Sequence, residues 1–376
     1  MKRSFKLTTV FNIPLEIDLT WFIVLALVTV SLAVSYFPSA VPGLPPFSHW
    51  LMALSAALLL FTSLLAHELA HSLVAERNHI PISSITLFIF GGVARLEKEP
   101  STPLVELKMA AAGPLLSFLL SLFFFTATAV FSYFNLPDFI LAVTDYLFIL
   151  NLVIGIFNLI PGFPLDGGRI LRALLWHFSG NLRRATSIAS TSGKLFAICL
   201  MLVGLLALLG GSAISGLWLI FIGFFLMEAA DNSYRQVAMK NFLSGIKVNK
   251  IMTRQVITVP PDLPLDRLVD EYFFRFRFSS FPVMANDVIL GAITLHAIKE
   301  IDRQKWPQVA VREVMLPVNK NMLINKENEI IDAFSFMANN HLGRLLVVEN
   351  GKLVGILSQR DIIRLFELKE EVDHDA

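Results

Sequence analysis

The chain has 376 residues, 55% of them hydrophobic and 16% charged, with a formal net charge of +1. A mean hydropathy of +0.64 excludes an ordinary soluble globular protein of this size. The near-zero charge supplies no global basic field for nucleic acid, and a lone cysteine, Cys199, excludes an internal disulfide or a cysteine-based zinc site.

Long apolar blocks dominate up to about Asn241, whereas the remainder has the charge density of a soluble protein. The N-terminal stretch MKRSFKLTTVFNIPLEIDLTWF places basic residues ahead of its first apolar run with no small-residue cleavage signature, as in a retained signal anchor. Hydropathy and length predict six spans: Ile13 to Phe37, Leu51 to Ala75, Leu107 to Phe134, Phe139 to Ile160, Thr186 to Leu209 and Ile214 to Glu228. The connections YFPSAVPGLPPFSHW, NLPD and GGSAIS lack Lys and Arg. The N-terminus and the alternate connections hold Lys2, Arg3, Lys6, Arg77, Arg95, Lys98, Arg169, Arg172, Arg183 and Arg184. The positive-inside rule then predicts a multi-pass protein of the cell membrane, with the lipid bilayer as a partner and with the N-terminus and the soluble module in the cytoplasm.

The second span carries His67-Glu68-Leu69-Ala70-His71. In a helix the two histidines stand i and i+4 on one face, about 5–6 Å apart at Cβ, so both imidazoles reach one metal ion. Glu68 is placed to act on water at that metal rather than to ligate it, the His-Glu-x-x-His arrangement of zinc hydrolases. An ionisable triplet in an otherwise uncharged span needs a compensating partner, and a divalent cation is one.

Ile80 to Pro100 is too interrupted to span. Its β-branched alternation predicts a strand, and Gly91-Gly92 a turn or a close backbone approach. Such an edge serves either to pair with an extended peptide by β-augmentation or as a cytoplasmic hairpin over the site. Met109-Ala110-Ala111-Ala112-Gly113-Pro114 provides small residues for close helix packing. The fourth span ends in Asn158-Leu159-Ile160-Pro161-Gly162-Phe163-Pro164-Leu165-Asp166-Gly167-Gly168-Arg169, where two prolines and several glycines break the helix at membrane depth. Asp166, aimed by that break, completes a three-ligand set with His67 and His71, the alternative being a helix N-cap. Asn158 is a candidate hydrogen-bond donor to a developing oxyanion, the alternative being a structural role.

These two motifs together resemble the site-2 protease family of intramembrane zinc metalloproteases. The resemblance covers most of the first 235 residues. It implies a six-span catalytic domain, one catalytic Zn2+ held by His67, His71 and Asp166, Glu68 as the base, and transmembrane protein segments as substrates. The strand segment with Gly91 and Gly92 resembles the family's substrate-facing sheet, and no insertion is large enough for a PDZ domain.

Ser244 to Leu368 contains an internal repeat of roughly 60 residues. Val248 to Met252 in the first copy matches Val311 to Met315 in the second, and Gly291-Ala292-Ile293-Thr294 matches Gly355-Ile356-Leu357-Ser358. The order resembles a pair of CBS repeats, α/β units that often bind adenine nucleotides. That resemblance places the ribose-binding acid at Asp361, beside Ser358. The first copy has Ala297 instead, leaving one ordinary site for ATP, ADP or AMP, or else a purely structural or dimerising pair that would make a homodimer.

The expected fold class is therefore a polytopic α-helical membrane domain with a small β segment near the site, followed by an α/β CBS pair. Its expected boundaries are residues 1–235 for the membrane domain, 236–246 for a linker, 247–308 and 309–368 for the repeats, and 369–376 for an acidic tail. The expected function is zinc-dependent cleavage of transmembrane segments, modulated by adenine nucleotide. The alternative is a CBS-regulated transporter or channel that uses the His, Glu and Asp as an ion pathway.

Overall fold

The computed structural model describes residues 4–89, 91–319, 322–340 and 342–374; Lys2, Arg3 and the last two residues of the expected acidic tail lie outside them. The chain divides into two units, residues 1–237 and 238–376.

Six helices of the described residues are long and apolar enough to cross a membrane: Leu19–Ala40, Pro46–Arg77, Pro103–Tyr133, Asp138–Asn158, Leu182–Leu209 and Ala213–Met239, hereafter spans 1 to 6. Span 1 starts later than hydropathy predicts, because Ile13–Asp18 is a strand. Ile13, Leu15 and Ile17 alternate inward and are buried, a period of two that a hydropathy window averages away. Asp18 ends the strand and caps span 1, its carboxylate accepting the Thr20 N–H at 2.9 Å.

The β segment is larger than the strand expected within Ile80 to Pro100, or than the alternative hairpin there. β1 (Ser4–Val10), β2 (Ile13–Asp18), β3 (Ile82–Phe88) and β4 (Gly91–Leu96) form one sheet in that order. β1 and β2 are antiparallel, β2 and β3 parallel through Leu15↔Ile85, and β3 and β4 antiparallel. A buried cluster of Ile13, Leu15, Ile80, Ile82 and Ile85 joins this sheet to Ala75 of span 2 and Met109 of span 3. The sheet is thereby packed where span 2, which carries the two histidines, meets span 3.

Span 4 stops at Asn158, and a helix runs over Asp166–Ser179. The intervening loop satisfies its freed backbone groups on span 5: the Phe163 N–H donates to Ala189 O at 3.1 Å, and the Ser192 hydroxyl donates to Pro161 O. A Cβ on Gly193 would lie 2.0 Å from Phe163 O, so only glycine admits this loop. Gly162, Phe163, Gly167 and Gly168 of the break are buried, whereas Leu159, Pro161 and Pro164 are exposed, so its inner side is the one packed against protein.

In the second unit, β5 (Ser280–Ala285), β6 (Val288–Thr294) and β7 (Leu316–Pro317) form one sheet. β8 (Leu323–Asn325), β9 (Arg344–Glu349) and β10 (Lys352–Ser358) form the other. The two repeats exchange their leading segments. Leu316 pairs with Ala292 of the first repeat, and Thr253 pairs with Ile356 of the second. Val311 is accordingly buried with Leu265, Phe281 and Ile293, and Val248 with Ile330, Leu345 and Ile362. The repeated glycine permits this crossing, since a Cβ on Gly291 would lie 2.2 Å from Leu316 O and one on Gly355 2.7 Å from Met252 Sδ. Residues 236–243, expected to be a linker, are helical as the end of Ala213–Leu243, and Leu243 is fully buried in the second-repeat core.

Candidate metal centre

His67 and His71 lie on the buried face of span 2, at 4% and 6% exposure. Their Nε2 atoms are 3.2 Å apart, and each is 3.1 Å from Oδ2 of Asp166, the first residue of the helix after the break. Two residues of one helix and one of a distant segment therefore present three donor atoms at the corners of a nearly equilateral triangle.

The far side of each ring is held. His71 Nδ1 lies 2.6 Å from Met109 O, which only accepts, so this nitrogen carries the proton and Nε2 presents its lone pair. His67 Nδ1 lies 2.8 Å from the Ser117 hydroxyl. Lone pairs on imidazole and carboxylate at such separations repel unless a cation or proton lies among them. Zinc bonds of about 2.0–2.1 Å in a tetrahedron put neighbouring ligand atoms about 3.3 Å apart, close to this triangle. Gly113 supplies the space: a Cβ there would lie 2.2 Å from His71 Nε2 and 2.5 Å from His67 Nε2. The donors, their spacing and the room left by Gly113 all fit zinc.

Glu106, Met109, Gly113 and Ser117 occupy one face of span 3 and are buried. The run containing Gly113, read from sequence as general packing, sets the imidazoles. The signal available was a four-residue recurrence of small or polar residues, Gly113, Ser117 and Ser121, within an apolar helix.

Glu68 is half-buried one position after His67. Its methylene chain lies over Gly92 of β4, where a Cβ would approach Glu68 Cγ to 2.5 Å. Gly91 and Gly92 pair with Phe88 and Leu87 of β3, and β4 is an edge of the sheet. The turn of the hairpin precedes both glycines, and Gly91 has φ +125°, which favours glycine. Asn158 ends span 4, with one amide hydrogen donated to Ile154 O at 3.1 Å. That leaves the second amide hydrogen for any other partner.

In the CBS unit a cavity of about 1250 Å³ is lined from both repeats, with Arg277, Arg344, Arg360, Arg364 and Ser358 among its walls. Arg344 crosses between repeats to the Ser280 carbonyl at 3.0 Å and the Ser279 hydroxyl at 2.8 Å. Burial lowers the Arg344 pKa, and the neighbouring Asp361 charge opposes that. Asp361 itself closes a capping box: its carboxylate accepts from the Ser358 N–H at 3.2 Å, and the Ser358 hydroxyl accepts from the Asp361 N–H at 3.2 Å.

The family model for peptidase family M50 matches residues 55–142 and 138–202, and that for the CBS domain matches 248–303 and 311–368. The chain belongs to peptidase family M50, the site-2 protease group, and carries a pair of CBS domains. It is 32% identical over 375 residues to zinc metalloprotease MJ0392 of Methanocaldococcus jannaschii, covering 99% of both chains. It is 34% identical over 372 residues to the Synechocystis sp. protein sll0528, provisionally named a zinc metalloprotease, covering 98% of this chain and 96% of that one. A solved site-2 protease from M. jannaschii shares 31% identity and a TM-score of 0.43, over 61% of this chain and 95% of that one.

Proposed function

We propose that the protein is an intramembrane endopeptidase that hydrolyses peptide bonds within transmembrane segments of other membrane proteins, near the cytoplasmic face. The observation that carries this reading is the triangle of His67 Nε2, His71 Nε2 and Asp166 Oδ2 with edges of 3.1–3.2 Å, beside an acid, Glu68, that is not one of its corners. These three residues would hold a zinc ion, which when bound would supply Lewis acidity toward a peptide carbonyl and toward water.

Glu68 takes a proton from the attacking water as its oxygen bonds to the carbonyl carbon, then delivers that proton to the nitrogen as the C–N bond breaks. Asn158 donates its second amide hydrogen to the oxyanion formed in between. A substrate helix hides its carbonyls in its own hydrogen bonds, so it must be extended before attack. The free side of β4 supports such a step by offering backbone groups to an added strand, and Gly92 puts that strand directly beside Glu68. The CBS cavity, rich in arginine, takes the phosphates of ATP, ADP or AMP, and nucleotide there modulates cleavage. Both termini are cytoplasmic, and CBS pairing gives a homodimer.

Purified protein in detergent is expected to release a shortened product from a single-span substrate, to stop when chelated and to resume with zinc. An ion transporter generates no new termini, so retention of full-length substrate under loaded conditions would overturn the peptidase reading.

A further inference from the structure

We propose that Glu106 and Arg172 form a clamp that positions Asp166 as the third metal donor; this inference rests on the metal-centre reading above. Glu106, near the start of span 3, is 1% exposed, and the Arg172 side chain is 13% exposed. Arg172 Nε donates to Glu106 Oε1 at 2.7 Å, and a terminal N–H of the same guanidinium donates to that oxygen as well. The guanidinium carbon also stands 5.0 Å over the ring of Phe163.

The placement is specific to the site. Glu106 shares its helix face with Met109 and Ser117, which hold the two imidazoles, and with Gly113, which leaves room between them. Arg172 lies on the same helix as Asp166, and Phe163 belongs to the loop that leads into that helix. Side chains on a helix lean toward its N-terminus, so Arg172 reaches back along the turn that carries Asp166. One guanidinium therefore ties both the helix and its entry loop to the face that already fixes the histidines.

A charged pair taken out of water at this depth is a poor way to gain stability, since apolar residues of the same volume pack as well or better. What the pair adds is direction and register. Apart from the pair, the turn is held by close backbone packing of Gly167 and Gly168 against residues 159–163 and by the loop's hydrogen bonds to span 5. A slide of about 0.5 Å would keep that packing yet spoil the donor triangle.

The test uses the full chain in detergent, with three measurements: zinc affinity by chelator competition, the visible spectrum of the cobalt-substituted protein, and thermal stability without metal. Glu106→Leu with Arg172→Met removes both charges at once and strands neither. The double variant is expected to melt near the parent when metal-free, to bind zinc about 10–100-fold more weakly, and to change the cobalt band intensity. Arg172→Lys keeps the charge but lacks the fork, and is expected to weaken zinc and alter the cobalt spectrum in the same direction. If the double variant folds poorly, Arg172→Lys decides alone. Parental zinc affinity and cobalt spectrum in a folded double variant, or in Arg172→Lys, would overturn the clamp. Failure of the unmodified protein to bind zinc would instead overturn the metal centre.

Discussion

A side-chain carbon on Gly113 would stand 2.2 Å from His71 Nε2, the distance at which that nitrogen would meet a metal ion. The hydrogen atom of span 3 and the lone pair of span 2 thus face one another across the volume that the two histidines and Asp166 enclose. The metal centre depends on a residue that is not a ligand.

Gly113→Ala is therefore expected to abolish stoichiometric zinc binding although all three ligand residues are retained, because a Cβ that close displaces the imidazoles. Alanine is the better helix former by about 0.8–1.0 kcal/mol, so a lost or loosened span would not be the cause. Metal analysis of the purified variant checks this, together with its helical circular dichroism. Full zinc occupancy would contradict the geometry.

Removing the base should separate metal binding from chemistry. Glu68→Gln is expected to retain one zinc and to lose cleavage by about 10²–10⁴-fold, the usual contribution of a positioned acid–base group. Gly92→Ala is expected to act through the same residue, since its methyl would collide with Glu68 Cγ at 2.5 Å. Zinc should remain and kcat should fall in that variant too; normal kcat would separate β4 from the base.

The hydrogen bond behind His67 gives a graded prediction. Ser117→Ala removes the partner 2.8 Å from Nδ1 and is expected to weaken zinc about 10–100-fold without unfolding the protein. Competition titration against a chromophoric chelator measures it.

In the soluble unit, Asp361→Ala is expected to have two separable effects. Loss of the capping box with Ser358 costs about 1 kcal/mol and lowers the melting temperature with or without nucleotide. Separately, the stabilisation of the parent by ATP or AMP should shrink, because a ligand bound only to the folded state raises stability by its own mass action. Thermal shifts of both proteins, each with and without nucleotide, resolve the two. An equal nucleotide shift in parent and variant would leave Asp361 a capping residue alone.

Much of this is legible in the sequence. His67, Glu68 and His71 are spaced by one helix, and helix geometry converts that spacing into a face without further information. The CBS repeats announce themselves because Gly291 and Gly355 recur in matching surroundings. The start of the first span is not legible, because Ile13, Leu15 and Ile17 are as apolar as a membrane helix and only pairing with β1 and β3 makes them a strand. Residues 236–243 looked like a linker because their composition is mixed, yet Leu243 is drawn into the second-repeat core.

The sequence by itself determined which residues are able to bind a metal and which stretches cross a bilayer, since those properties follow from side-chain chemistry and from periodicity within a single element. Only the tertiary structure decided that Asp166 meets the histidines, that Met109 and Ser117 orient them, that Gly113 clears their centre, and that Arg172 lies against Glu106. Each of these is a contact between residues dozens of positions apart. No local pattern encodes such a contact; it exists only once the helices have packed and the broken turn after span 4 has docked on span 5.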